Sequence, residues 1–370
     1  DSDARGRLLT RHDAAGTTTC QYDSADRLRT QTLQITGLPQ SLSLAFDYDP
    51  AGHLTRLLSS TPGGTDVSYA YDALGQLIGI EAPGFGHIAC DYDAAGNLSA
   101  LSLPNGVTSR LTHDPLRRLL RLETSNPGGA IADFSYALDA AGRRTDVLET
   151  LVIQDQPSCI QRHYDYDLAG RLIRESVASP LATLLAEYTY DPAGNRLALT
   201  QHRDGVATRT ETAYNANHQS LALTHDANGN PVAGLSPLGA PFADAYDSRN
   251  RLLQRATTRD GQPFALDLLH DHAGHRLAAI LTTNGQSLAR VRLVADLNPS
   301  GFPQVLEEFR VASDGQLLLE RAFPPGRGIL AQRRFGDGAE TVDYLGTDAL
   351  GSVRHLTDAT GTVREFYDFD

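Results

Sequence analysis

The 370-residue chain contains no methionine, tryptophan or lysine, and only three cysteines. Without methionine, residue 1 is expected not to be an initiator, and the N-terminus is read as cut within a longer polypeptide. Without lysine, all 32 positive charges are arginine. This is read first as the mark of a GC-rich genome, in which arginine and alanine codons displace lysine codons. A lysine-free chain would also resist ubiquitination if delivered into a eukaryotic cell. Cys20, Cys90 and Cys159 are odd in number and far apart, so they imply no disulfide framework. Cys20 and Cys90 each stand two residues before a tyrosine, on the same face if the segment is a strand, and are expected to be small buried hydrophobes. Long apolar runs are lacking too, which excludes a membrane-spanning helix, and no basic-then-apolar leader is visible. A net charge of −13 with scattered arginine pairs gives no concentrated basic face, so nucleic acid and anionic membrane are disfavoured partners. With 41% hydrophobic and 21% charged residues the chain reads as folded, not disordered.

What is present is a repeat. An aromatic residue followed by aspartate recurs at Tyr22-Asp23, Tyr48-Asp49, Tyr71-Asp72, Tyr92-Asp93, Tyr166-Asp167, Tyr190-Asp191 and Tyr246-Asp247. Variants stand at His12-Asp13, His113-Asp114, Leu138-Asp139, Tyr214-Asn215, His225-Asp226 and His270-Asp271, and the period lies loosely in the low twenties. Each aspartate opens a D-x-x-G frame, as from Asp49 to Gly52, Asp72 to Gly75, Asp93 to Gly96, Asp167 to Gly170 and Asp191 to Gly194. Aspartate can accept from the backbone ahead of it in a type I turn, and glycine takes the left-handed conformation that closes the loop. Asp26 and Asn250 fill the glycine slot tolerably. Arg117 and His218 fit it poorly, and distorted or longer turns are expected there.

The flanks read as strands. Tyr69 and Tyr71, Tyr164 and Tyr166, and Tyr188 and Tyr190 alternate with other residues, placing two aromatics on one face, and a leucine follows each turn after one polar residue. A second turn set includes Asn105-Gly106, Asp204-Gly205, Asp260-Gly261 and Asn284-Gly285, which are hairpin signals. Each period thus holds two strands and two turns, and no amphipathic helix is evident. The predicted fold is all-β: tandem hairpins in a continuous antiparallel sheet, with Tyr stacked over Tyr between repeats.

The Tyr-Asp, x, x, Gly, Arg/Asn, Leu unit resembles the Rhs or YD repeat, from about Tyr22 to the end. Residues Tyr344 to Gly361, with Asp348, Gly351, Ser352, Arg354, Asp358 and Gly361, resemble the Rhs-associated core segment that follows such arrays. Residues Asp296 to Glu308 are similar to a stretch in the C component of insecticidal toxin complexes. The resemblance divides the chain into a repeat array (1–290), a repeat-like linker (291–343) and the start of the core segment (344–370). It implies a sheet spiralling into part of a hollow shell that encloses a C-terminal toxin polypeptide of the same parent chain, in a secreted, injected or surface-exposed bacterial protein. A capping subunit or a secretion apparatus would be the further partner. The family's self-cleaving aspartates lie beyond the position matched by Asp370, so no protease residue is assigned.

Constellations that suggest chemistry are weak. His270, His272 and His275 crowd six residues, but His270 fills the tyrosine slot and the other two lie in the following turn, so a packed ring is the plainer reading than a metal ligand. Gly326 and Gly328 precede no helix, and no G-x-S-x-G elbow is present. No catalytic, cofactor or metal residues are assigned, and no enzyme is expected. The alternative is an adhesin or filament using the sheet face on carbohydrate or a partner cell.

Overall fold

The structure, a computed structural model, describes residues 1–154, 156–180, 182–236, 239–336 and 339–367. Asp368 and Asp370, at the end of the expected core segment, lie outside the described residues. Among the described residues every regular element is a β-strand. The strands form two large antiparallel sheets, one of eighteen strands from Thr10–Asp13 to Val206–Glu211 and one of thirteen from Thr224–His225 to Val363–Phe366, and Pro325–Gly326 pairs separately with Gly328–Ile329.

The register shows why apolar residues after some turns recur at a spacing of three, as in Leu54 and Leu57. Tyr48 faces Leu54 and Asp47 faces Arg56, so Thr55 is an extra residue in the ladder. The same shift falls at Tyr22, Tyr71, Tyr166, Tyr190 and Tyr246. A bulge inverts the alternation beyond it. Leu54 and Leu57, and likewise Leu77 and Ile80, are therefore all buried despite a spacing of three.

The sheets part between Glu211 and Thr224 for a reason visible in the spacing of the turns. Asn215 and Asp226 both open D-x-x-G-type turns, closed by His218 N to Asn215 O at 3.0 Å and Gly229 N to Asp226 O at 3.1 Å. So short an interval has no room for the two full strands that the usual period supplies.

The chain forms two compact units: residues 1–89, 235–345 and 356–359 make one, and 90–234, 346–355 and 360–370 the other. In the first, Phe46, Leu44, Leu57, Val67, Ile80 and Ile88 are fully buried, as are Leu306 and Phe309 of the strand Gln304–Val311. Buried hairpin tips need hydrogen-bond partners, and side chains from distant strands supply them. Thr65 N donates to Glu307 Oε1 at 2.6 Å, Tyr69 Oη to Pro325 O at 3.0 Å and Tyr344 Oη to Phe85 O at 2.5 Å. Arg333 donates to the carbonyls of Gly63 and Pro83 while its guanidinium lies over Phe335. In the second unit, Phe134, Tyr136, Val147, Glu149, Leu151 and Ile160 line the buried face of three successive strands. Onto these strands fold the segments 346–355 and 360–367.

Three sequence expectations are corrected. Arg117 and His218 do not distort their turns: both take the left-handed conformation (φ 64° and 60°) with the same closing bonds as the glycine turns. The local cost is offset because Asp114 Oδ1 accepts from the amides of Leu116 and Arg118, both at 2.9 Å. His12-Asp13 is not a repeat turn, since Asp13 faces Gly16 across a two-residue hairpin loop. The repeat turn lies earlier, at Asp3, where Gly6 N bonds Asp3 O at 2.9 Å. In place of the expected Tyr-on-Tyr stacking, several repeats lay an arginine guanidinium over the tyrosine ring, as described next.

Candidate functional site

The most regular constellation is the repeat turn itself. The aspartate carboxylate accepts from the amide four residues ahead and, in most turns, from that two ahead as well: for Asp23 these are Ala25 N and Arg27 N, both at 2.9 Å. Asp72, Asp93, Asp167, Asp191 and Asp247 each take the amide four residues on in the same way. The residue three after the aspartate is left-handed throughout, from Gly52, Gly75, Gly96, Gly170 and Gly194 to Asp26 and Asn250. The second carboxylate oxygen receives the side chain of the fourth residue, as with Arg171 Nε to Asp167 Oδ2 at 2.6 Å and Asn195 Nδ2 to Asp191 Oδ2 at 2.7 Å. Donation from the Arg251 amide, foremost, holds the Asp247 carboxyl down to about 2. The same kind of donation lowers Asp23, Asp114, Asp139 and Asp167.

That fourth residue is the one whose role sequence reading missed. Where it is arginine, it ties its repeat to the next. Arg27 Nη1 donates to Asp49 O at 2.8 Å, and Arg171 Nη1 to Asp191 O at 2.9 Å. The same guanidinium covers the next tyrosine ring: Arg7 over Tyr22, Arg27 over Tyr48, Arg143 over Tyr166 and Arg171 over Tyr190, at 4.7–5.0 Å. Several tyrosine hydroxyls then reach back. Tyr48 donates to Leu28 O at 2.9 Å, Tyr71 to Leu54 O at 2.9 Å and Tyr190 to Leu172 O at 2.7 Å. Where the fourth residue is His53, its ring stacks on Tyr71 at 4.8 Å. A planar guanidinium can bind a carboxylate, reach a carbonyl and lie on a ring at once, whereas an ammonium cannot. The arginine bias noted from composition therefore has a structural use. Arg171→Lys should raise amide exchange in the hairpin around Asp167 and Tyr190 about tenfold, read by hydrogen-exchange mass spectrometry.

The residues expected in the core segment, Asp348, Gly351 and Ser352, use the same turn. Leu350 N and Ser352 N donate to Asp348 Oδ1 at 2.8 and 3.0 Å, and Gly351 is left-handed. Ser352 cannot supply the arginine arm. Arg354 approaches Asp348 Oδ2 instead, at 3.7 Å, and pairs with buried Glu149 at 2.6 Å. Gly361, in the turn after Asp358, offers its carbonyl to Asn126 Nδ2 at 2.8 Å.

His275 is built into the scaffold. It occupies the fourth position, with Nδ1 2.8 Å from Asp271 and Nε2 2.9 Å from Asp296, the arrangement arginine makes elsewhere. Among the described residues no three His, Cys, Asp or Glu side chains gather as a metal site requires. Cys20 and Cys90 are buried; Cys159 is exposed. No helix of the described residues is long and apolar enough to cross a membrane.

Known proteins match this architecture. The chain is 26% identical over 250 residues to double-stranded DNA deaminase toxin A of Burkholderia cenocepacia, covering 60% of this chain and 17% of the toxin. It is 28% identical over 307 residues to toxin protein Tse5 of Pseudomonas aeruginosa, covering 70% of this chain and 23% of that protein. The chain thus spans under a quarter of these relatives. The fold is that of TcdB2-TccC3, with a TM-score of 0.75 at 17% identity over 97% of this chain and 20% of that one. The same fold recurs in the Photorhabdus luminescens Tc holotoxin pore, with a TM-score of 0.76 at 17% identity over 99% of this chain and 20% of that one. The Teneurin YD-shell family matches residues 3–273, and with its repeat turns and all-β fold the chain belongs to that family.

Proposed function

We propose that the chain is a shell-forming segment of a secreted or injected bacterial toxin protein, and that it encloses a C-terminal toxin polypeptide of the same parent chain. One observation carries this reading most: the conspicuous polar residues of the repeats are spent on one another. Aspartate, arginine and tyrosine link each turn to the next, so the repeat builds a wall and leaves its signature groups little freedom for substrate. Membership of the YD-shell family and the relatives named as toxins support a toxin-associated role.

On this reading 1–290 is the wall, 291–343 continues it, and 344–370 begins the core segment. The mechanism is confinement: a polypeptide denied the volume to fold or act stays harmless to the producing cell. The chain itself performs no catalysis, and the further partner is a capping subunit or a secretion apparatus.

The test is denaturing mass spectrometry of the purified parent protein beside native-state electron microscopy. Two fragments that part only on denaturation, with density inside a hollow particle, are expected. An intact chain in open ribbons with no interior would overturn the proposal and favour the adhesin, for which glycan binding by the isolated chain is the direct check.

A further inference from the structure

Glu149 and Arg354 are separated by 205 residues, yet their side chains meet at 2.6 Å with only 5% of each exposed. A buried ion pair is costly unless its remaining hydrogen-bonding groups are also satisfied, and here they are. Glu149 Oε1 accepts from Arg162 Nε at 2.9 Å. Arg354 Nε donates to the Tyr367 carbonyl at 3.0 Å, and the Arg354 carbonyl accepts from Tyr367 N at 2.8 Å. The guanidinium also lies 5.4 Å from the Phe134 ring centre. Next to the pair, Ala349 N donates to Tyr136 Oη at 3.2 Å. A cavity of about 260 Å³ adjoins, walled by Tyr136, Arg162, Tyr164, Glu175 and Asp348. Burial there pushes the Tyr164 hydroxyl up to about 12.

We propose that Arg354 is a positioning residue: braced by Glu149, it latches the backbone of Tyr367 and so holds the end of the strand Val363–Phe366 in place. The geometry is specific to that task. A pair serving only to fill the interface needs no bond to Tyr367, whereas Arg354 holds this residue by both its amide and its carbonyl. Arg162, which bonds Glu149 independently, keeps it paired and oriented whether or not Arg354 is engaged. On the shell reading, from which this last step follows, the latch governs the retention of polypeptide joined beyond Tyr367.

The test is hydrogen exchange in the complete chain, comparing Val363–Tyr367 with the strands Gly129–Leu138 and Arg144–Ile153. Arg354→Met should raise exchange in Val363–Tyr367 at least a hundredfold while the two repeat strands change less than tenfold. Glu149→Gln should give an intermediate loss in the same segment. The double variant Glu149→Met with Arg354→Met supplies apolar packing without the anchor. It should recover the melting behaviour of the wild type and leave Val363–Tyr367 unprotected. Equal changes in all three segments, or full protection of Val363–Tyr367 in Arg354→Met, would overturn the latch. Should that variant fail to fold, Arg354→Lys decides, since an ammonium cannot reach Glu149 and Tyr367 together; unchanged exchange there would count against the proposal. Enclosure is judged separately: a parent protein with an empty or open particle overturns the shell reading while exchange at Tyr367 still reports on the latch.

Discussion

Replacing Gly346 by alanine is expected to destabilise the C-terminal strands by about 3 kcal/mol, at the upper end of what overpacking costs. A methyl group at this position would overlap the imidazole of His355, which is 1% exposed and has the Phe366 ring near it, 6.2 Å away between centres. Neither partner has space to retreat. Gly346 is not among the left-handed glycines, so the penalty is steric and not conformational. Two controls isolate it. Gly351→Ala, at a φ of 82° with open space around the added carbon, should cost only about 1 kcal/mol, the price of a left-handed alanine. The double variant Gly346→Ala with His355→Ala should regain most of the loss relative to His355→Ala alone, giving a coupling of about 2 kcal/mol in a double-mutant cycle. Additive losses, measured by denaturant unfolding, would show that the two residues do not compete for the same space.

His355 also makes the same strands sensitive to acid. Both ring nitrogens are buried without a hydrogen-bond partner, and burial, with Arg354 alongside, lowers its pKa to about 4. The folded pKa lies below the unfolded value of about 6.5, so the unfolded chain binds the proton more readily. The stabilisation is complete above pH 6.5 and is lost as pH falls from there through 4. The full span corresponds to ~3 kcal/mol. The repeat aspartates, held low by their turns, contribute stability that disappears only below their ordinary range, so the windows separate. His163 acts in the opposite sense: Asp146 raises its pKa, and its smaller, exposed contribution is lost as pH rises. The expected result is a steep fall in the protection factors of Val353–Thr357 and Val363–Phe366, corrected for the slower intrinsic exchange in acid, between pH 6.5 and 4.5, flattened by His355→Leu. An unchanged pH profile in that variant would assign the acid sensitivity to another group.

Much of this architecture is legible in the sequence because the repeat unit solves its own problem locally. Asp23 and Asp167 bond amides two and four residues ahead, and such bonds depend on no distant part of the chain. The same locality explains the errors. Arg117 and His218 looked unsuitable because left-handed backbone was weighed without the carboxylate that holds the turn. The separation of the sheets was also readable, from Asn215 and Asp226 standing too close for two strands. The bulge after each turn left a trace in the Leu54 and Leu57 spacing, which resembles a helical period out of context.

By itself the sequence determined the strands, the turns, the all-β class and the family, since hydrogen bonds within one hairpin and burial at spacings of two or three residues encode them. Tertiary structure alone decided which polar residues would be buried. Nothing near Glu149, Glu307 or Arg333 in the sequence marks it as a core charge. Each becomes one because strands far away in the chain bring Arg354, the Thr65 amide and the Gly63 carbonyl against it. The cost of a buried charge is set by its partners in space, and no local pattern records which partners folding will bring.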